Sequence, residues 1–503
     1  MGQMMKHLAR ILLALAAILS AAPAYAISNF QHIVIVVQEN RTPDNLFMGM
    51  CLGFGGTAQC STTDTNQYDI QTQNWLDKKR RGGTIRPQVL PLGNNYDPGH
   101  THSDFLRMCD SSRVTGGPCR MDGAADVGCK GIGCTHPTQF PFYYVKPSDV
   151  ASYFILAQSY GWENHFYQTN QGPSFPAHQF LFGATSAPSA TDDAEGNFVS
   201  ENIICDPKDD GDPHVKGRGC SNGCIAPPLA TIQLIDKNGV ENPDDKVDPC
   251  MEHQTISDLL EASSLTWNYY APSEGMLWTA PVAIKHICGG EWRGGHCPPG
   301  SDFVNHFRQL AETTLISDVA QCALPAVSWV IPTGQDSDHA GSPNNVDGPD
   351  WVAIVVNAIG GSNCRDGGGT YWQDTAVVIT WDDWGGWYDH EPPPILASPE
   401  GGYQLGFRVP MIFVSAYTPQ GYIDGTFSAD FGTIANFVEN NFGIAEGSLG
   451  FADARAYRRL FPQDLRQFYN LNNAPRQFVQ VPARKDAKWF LNDKSPPTPP
   501  DDD

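Results

Sequence analysis

Two unbroken apolar runs constrain this chain more than anything else in it: Ile33-Val34-Ile35-Val36-Val37 and Ala376-Val377-Val378-Ile379-Thr380. Successive side chains of a strand point to opposite faces, so a strand with no polar face must be covered on both sides. Residues 326–331 and 409–415 read as further strands, and helical periodicity is present at 148–160, 254–264, 303–318, 348–359 and 430–441. Strands alternating with helices predict a layered α/β fold around a mostly parallel sheet. Long stretches rich in Gly, Asp, Asn and Cys, near 50–145 and 186–250, read as loop insertions that carry function or cover a site. No linker divides residues 27–490, so a single domain with insertions is expected, and the Pro- and Asp-rich stretch 491–503 is expected to be disordered.

The chain carries 32 Lys and Arg against 55 Asp and Glu, a net charge of −23. Affinity for nucleic acid rests on neutralising phosphates, so this balance excludes nucleic acid as a partner and argues against docking to anionic lipid. At the N-terminus, Lys6 and Arg10 accompany an apolar run over 11–19, and Ala24-Tyr25-Ala26 has the small-x-small form of a cleavage site. Residues 1–26 are therefore expected to be a signal peptide, since the run is shorter than the ~20 residues of a membrane span. Export to the periplasm or the medium follows, with no transmembrane segment. Fourteen cysteines without a C-x-x-C pair then predict disulfides that staple loops, in a pattern the sequence leaves open, rather than a thiolate zinc site.

The chemistry gathers at strand ends. The first run leads into Gln38-Glu39-Asn40 and the second into Trp381-Asp382-Asp383. Ligands of open α/β sheets collect at the carboxyl ends of strands, so Glu39, Asn40, Asp382 and Asp383 are candidate oxygen ligands for one divalent cation, with Ca²⁺, Mg²⁺ or Mn²⁺ favoured. Neighbours in a strand diverge, so the chain must leave strand geometry there, and Gly385-Gly386 supplies room to turn. Thr42-Pro43-Asp44 reads as a helix cap, which accounts for Thr42 but not for a charge at Glu39. Ser174 lies in a Pro-flanked turn, Gly172-Pro-Ser-Phe-Pro176, with His165 before it and His178 after. A serine in such a turn is ordinarily structural. The G-x-S-x-G at 219–223 is rejected as a nucleophile elbow, because no strand precedes it and no helix follows. Among the histidines, His100, His102, His286 and His339 sit in contexts suited to catalysis.

In combination, these blocks resemble those of the bacterial phospholipase C/acid phosphatase (phosphoesterase) family. The resemblance is carried by residues 32–47, by Asp97-Pro-Gly-His100, and by Gly172–Pro176 followed by Gly183-Ala-Thr-Ser186. Trp381-Asp-Asp-Trp-Gly-Gly-Trp-Tyr-Asp-His390 and Gly406-Phe-Arg-Val-Pro410 complete it, in the family's order. It implies a three-layer α/β/α core of the alkaline-phosphatase type and hydrolysis of a phospholipid head group or soluble phosphomonoester through a phosphoserine. It also implies Ser174 as nucleophile, Glu39, Asn40, Asp382 and Asp383 as metal ligands, and His100, His286 and His339 around the phosphate, with His102 the alternate for His100. Pro176-Ala177-His178 departs from the Pro-Asn-Arg of many phospholipases, Thr42-Pro43 replaces a commoner Ser-Phe, and the large haemolytic members' extra C-terminal domains have no counterpart here. The rival expectation is an exported, disulfide-stapled binding protein on the same fold, which would have no need to assemble four oxygen ligands beside a serine.

Overall fold

The first apolar run forms β1 (His32–Gln38), in the interior of an eight-stranded sheet. The computed structural model describes residues 27–56, 58–110, 118–130, 134, 140–201, 222–227, 230–291, 295–364, 369–396, 404–454 and 464–493. The other strands of this sheet are β2 (Gly161–Glu163), β3 (Trp267–Ala271), β4 (Phe307–Gln309), β5 (Val327–Val330), β6 (Thr375–Trp381), β7 (Met411–Ser415) and β8 (Tyr422–Asp424). They lie in the order β4-β3-β5-β1-β6-β7-β2-β8, and β7 alone runs against the rest.

Coverage on both faces, which the apolar runs demand, is what the packing shows. Ile35 of β1 is in register with Trp329 and Val378. The Trp329 indole donates to the Leu181 carbonyl, 3.0 Å away, in a helix that spans Ser174–Gly183. Trp381 lies an odd number of residues beyond Val378 and so faces the other way, where its ring meets Tyr153 edge-on at 5.1 Å. Numbering helices along the chain as α1 (Pro43–Cys51), α2 (His102–Cys109), α3 (Ala151–Ser159), α4 (Ser174–Gly183), α5 (Gly348–Gly360) and α6 (Phe431–Asn441), α4 and α6 pack together over one face. On the other face α3 packs with α5. The result is the expected three-layer α/β/α arrangement.

One helix expectation fails. Residues 303–318 do not form a single helix: a short one, Asp302–His306, ends where β4 pairs with β3, and a second begins at Ala311 after Leu310 turns through φ +60°. The open edge of β3 captures this segment, a long-range demand that periodicity does not register. The insertion at 186–250 contains an antiparallel three-stranded sheet of Phe198–Val199, Ile232–Ile235 and Glu241–Val247.

Six disulfides occur among the described residues: Cys51–Cys60, Cys109–Cys119, Cys129–Cys134, Cys224–Cys250, Cys288–Cys297 and Cys322–Cys364. Each closes a local loop, the longest spanning 42 residues, and such links stabilise mainly by restricting the unfolded chain. Cys205, Cys220 and the proposed signal peptide lie outside the described residues. No helix among the described residues is long and apolar enough to cross a membrane. A helix over Ala487–Asn492 runs into the stretch read as a tail, whose remainder is not described.

Candidate active site

β1 and β6 are parallel neighbours that end together, with Gln38 opposite Trp381. The next residues, Glu39 and Asp382, therefore emerge side by side. By strand alternation Glu39 shares the face of Ile35 and Asp382 that of Val378, the face covered by α4. Sheet register and helix placement thus bring Ser174 to carboxylates far from it in sequence. Beyond the strands the backbone turns sharply: Asn40 has φ +59°, Gly385 +60° and Gly386 +71°. A Cβ on Gly385 would lie 2.3 Å from the Asn40 carbonyl oxygen, so the two turns nest only because this residue is glycine. The Asn40 backbone N–H donates to Asp382 Oδ1 at 3.0 Å.

The Asn40 side chain reports on what this centre is built to hold. One terminal atom of its amide lies 3.1 Å from both Glu39 Oε2 and Asp382 Oδ1, and the other lies 3.0 Å from His339 Nε2 and 3.2 Å from His100 Nε2. The Nδ1 atoms of these histidines sit 3.0 Å from the Pro98 carbonyl and 2.6 Å from the Ala340 carbonyl. Carbonyls only accept, so both Nδ1 atoms carry a proton, and the direction of the Asn40 amide follows from whether each Nε2 donates or accepts. With its NH₂ toward the carboxylates the amide donates to Glu39 and Asp382 and accepts from both rings; with its oxygen toward them it offers a third oxygen to a cation. In the second orientation the oxygens of Glu39, Asn40 and Asp382 form a donor set that a divalent ion fits.

Helix α4 supplies the other side. Ser174 is its first residue, after Pro173 at the N-cap, and Pro176 is tolerated because first-turn N–H groups have no intrahelical partner. Ser174 Oγ donates to Asp383 Oδ2 at 3.3 Å, while Asp383 Oδ1 accepts from the Gly385 N–H at 2.6 Å. One turn along the same helix face, His178 Nε2 lies 3.2 Å from Glu39 Oε1 and 3.7 Å from Asp382 Oδ2. Burial pushes the His178 pKa down to about 4 against the pull of Asp382, so the ring is neutral at pH 7.

The predicted site residues divide accordingly. Glu39, Asn40, Asp382, His100 and His339 converge, and Ser174 and Asp383 meet beside them. His102 does not take the place of His100: its Nδ1 lies 3.1 Å from the Gln171 carbonyl, and its ring lines a pocket with Asn170, Gln171, Phe180, Phe198 and Val199 next to the Ser174 turn. His286 is not at this centre. Its ring nitrogens lie 2.7 Å from Glu252 and 3.0 Å from Asp258, and hydrogen bonding to Asp258 leads in raising its pKa to about 9. The buried histidine position beside the carboxylates belongs instead to His178, named in sequence only as a neighbour of Ser174. Its i,i+4 spacing from Ser174 carries the signal, but only for a helix that begins at the serine.

Side-chain bonds hold the loops that bear these groups. Gln38 binds the Asp336 carbonyl at 3.0 Å and the Asp338 N–H at 3.1 Å, and Arg41 Nε donates to the Asp338 carbonyl at 2.8 Å, which fixes the loop bearing His339. The far end of the 381–390 block is held by fully buried Arg408, whose guanidinium reaches Asp389 at 2.8 and 3.1 Å and Asp69 at 3.0 Å. His390 bridges Asp44 at 2.9 Å and Asp69 at 3.0 Å. Burial alone would lower its pKa, but the Asp44 and Asp69 carboxylates raise it to about 10.

Fold and site together define an α/β protein with a buried cation-type centre at the carboxyl edge of its sheet and a serine at a helix N-terminus beside it. The chain belongs to the Phosphoesterase family, whose sequence model matches residues 30–445. It is 22% identical over 496 residues to a non-hemolytic phospholipase C of Pseudomonas aeruginosa, covering 92% of this chain and 60% of that protein. A hemolytic phospholipase C of the same organism is 20% identical, with the same coverage of both chains. The chain therefore spans about 60% of the length of these curated relatives. Phospholipase C A of Mycobacterium tuberculosis is 31% identical over 123 residues, 20% of this chain and 22% of that one. Among solved structures, an alkaline phosphatase superfamily protein from Vibrio parahaemolyticus aligns with 84% of this chain and 68% of its own at 11% identity and a TM-score of 0.32. A superposition that loose says nothing about the site.

Proposed function

We propose that this chain is an exported phosphoric ester hydrolase in which Ser174 is the nucleophile. The observation that carries the reading is the Ser174 hydroxyl, hydrogen-bonded to Asp383 at the start of α4, beside the converging side chains of Glu39, Asn40 and Asp382. Those three residues would hold a divalent cation, which supplies positive charge for the phosphate oxygens and for a deprotonated serine.

The residues themselves carry the rest. Asp383 accepts the hydroxyl proton as Ser174 Oγ bonds to phosphorus and passes it to the departing ester oxygen as the P–O bond breaks, so the alcohol leaves and a phosphoserine remains. Water then breaks the phosphoserine bond and restores the hydroxyl. The positive end of the α4 dipole, at Ser174, favours the anionic phosphate. His100 and His339 fix the Asn40 amide so that its oxygen stays turned to the carboxylates. The pocket beside the Ser174 turn has phenylalanine walls, an Asn170 amide without a hydrogen-bond partner, and no lysine or arginine among its lining residues. It suits an uncharged leaving alcohol with an apolar body, which favours phosphodiesters of the phospholipid type over small monoesters. Export rests on the N-terminal segment 1–26 and the disulfides.

Ser174→Ala tests the assignment. Turnover of a chromogenic phosphate ester should fall to background while circular dichroism is unchanged, and acid-quenched wild type should carry a phosphoryl adduct on the Ser174 peptide by mass spectrometry. Wild-type-like turnover by Ser174→Ala would refute the nucleophile.

A further inference from the structure

We propose that His178 is itself a ligand of the metal ion, giving a mixed nitrogen–oxygen site that selects a borderline transition ion such as Zn²⁺, Co²⁺ or Ni²⁺ over Ca²⁺ or Mg²⁺. The inference rests on the metal-dependent reading above and deepens it: it names the chemistry of the ion from a residue outside the four oxygen ligands expected at first.

The geometry is that of a donor set. One donor atom each from Glu39, His178 and Asp382 lies within 4.8 Å of the others, and all three residues are buried. Atoms bound to a common ion at 2.0–2.2 Å stand roughly 3–3.5 Å apart. The 3.2 Å from His178 Nε2 to Glu39 Oε1 fits that spacing, and the 3.7 Å to Asp382 Oδ2 is close to it. Asp382 Oδ2 has no hydrogen-bond partner and the residue is 0% exposed, which is costly for a carboxylate oxygen unless a cation meets it. The ring is also set in place: it stacks on Trp278 at 10° between planes and 6.1 Å between centroids, and α4 holds its backbone.

Both carboxylates present one oxygen toward Asn40 and the other toward His178, so amide and imidazole close opposite sides of the same pair. A guanidinium in this position, as in the Pro-Asn-Arg pattern, would neutralise those carboxylates itself. An imidazole bound through Nε2 leaves their charge for the ion and adds a nitrogen donor. Imidazole suits zinc, copper, iron and nickel, whereas all-oxygen sets suit magnesium, calcium and manganese.

The test is pulsed EPR on full-length protein stripped of metal and reloaded with Mn²⁺. Wild type should show the electron-spin-echo modulation of a directly bound imidazole nitrogen. H178Q should lose it, while H100Q and H339Q keep it. By titration of the stripped proteins, H178Q should bind Zn²⁺ at least about 10-fold more weakly, since even second-sphere partners of metal ligands are worth 10–100-fold, with Ca²⁺ affinity nearly unchanged. Wild type without nitrogen modulation, or H178Q retaining it, overturns the proposal. Should H178Q not fold, the H100Q/H339Q double variant decides: modulation that survives there supports His178, and its loss overturns it. A Ser174-dependent, metal-loaded hydrolase lacking the modulation sinks this assignment alone, whereas failure of the Ser174→Ala test leaves the spectroscopic result standing.

Discussion

Replacing Arg408 with methionine would remove the central cation of the network that holds the 381–390 block. The guanidinium is fully buried and bonds Asp389 through two nitrogens, Asp69 through a third contact, and the Asn164 carbonyl at 2.8 Å. Asp44, Asp69 and Asp389 face two cations, Arg408 and protonated His390. Arg408→Met leaves three buried carboxylates with His390, and the His165 ring 3.5 Å from Asp69, as the remaining partners. Breaking a buried pair by removing one partner typically costs about 3–5 kcal/mol, most of it the penalty of the charge left behind. At about 1.4 kcal/mol per decade, the folding equilibrium should shift by roughly 10²–10³·⁵-fold. Equilibrium urea unfolding with disulfides intact measures this as a lower midpoint, and Arg408→Lys should fall between the two because it keeps the charge but not the fork. Acidification should narrow the gap between Arg408→Met and wild type, since Asp69, whose carboxyl is held well below the usual range in part by Arg408, no longer needs the cation once protonated. A destabilisation below about 1 kcal/mol at pH 7, or a gap that widens in acid, would refute the uncompensated-charge argument.

Three further outcomes follow from the same geometry. Asp382→Asn should lower both metal content and turnover while leaving the metal-free protein no less stable, because it neutralises a buried oxygen that has no partner; elemental analysis with calorimetry checks both halves. The His390 pairings raise its folded-state pKa to about 10, above the ordinary value near 6.5. Their stabilisation should therefore be complete below about pH 6.5 and vanish as pH rises through 10, read as a wild-type minus His390→Gln difference in Tm that shrinks in alkali. Gly385→Ala should cost about 1–2 kcal/mol for the left-handed backbone alone, more once the clash with Asn40 is counted, and should lower metal occupancy as Asn40 shifts; a variant with wild-type Tm and metal content would contradict the nested-turn account.

What the sequence by itself determined is local. The β-branched runs dictate buried strands wherever they lie, and residues that follow such strands fall at the sheet's ligand-binding edge, so Glu39, Asn40, Asp382 and Asp383 were readable as a group. The turn at Gly385 was readable for the same reason, because adjacent side chains cannot otherwise face one centre. The errors mark where locality ends. Two prolines made Ser174 look like part of a loop, and without a helix starting there His178 had no reason to point at Glu39. His286 has the polar context of a catalytic histidine, yet only the packing reveals Glu252 and Asp258 as its partners. Residues 303–318 carry a helical period that pairing with β3 interrupts, and Arg408 gives no sign in sequence of gathering carboxylates from positions 44, 69 and 389. Propensity and periodicity act over a few residues, whereas which groups share a buried centre depends on strand register and on the rotational phase of a helix against the sheet. Those are set by packing the whole chain at once, and only the tertiary structure decided them.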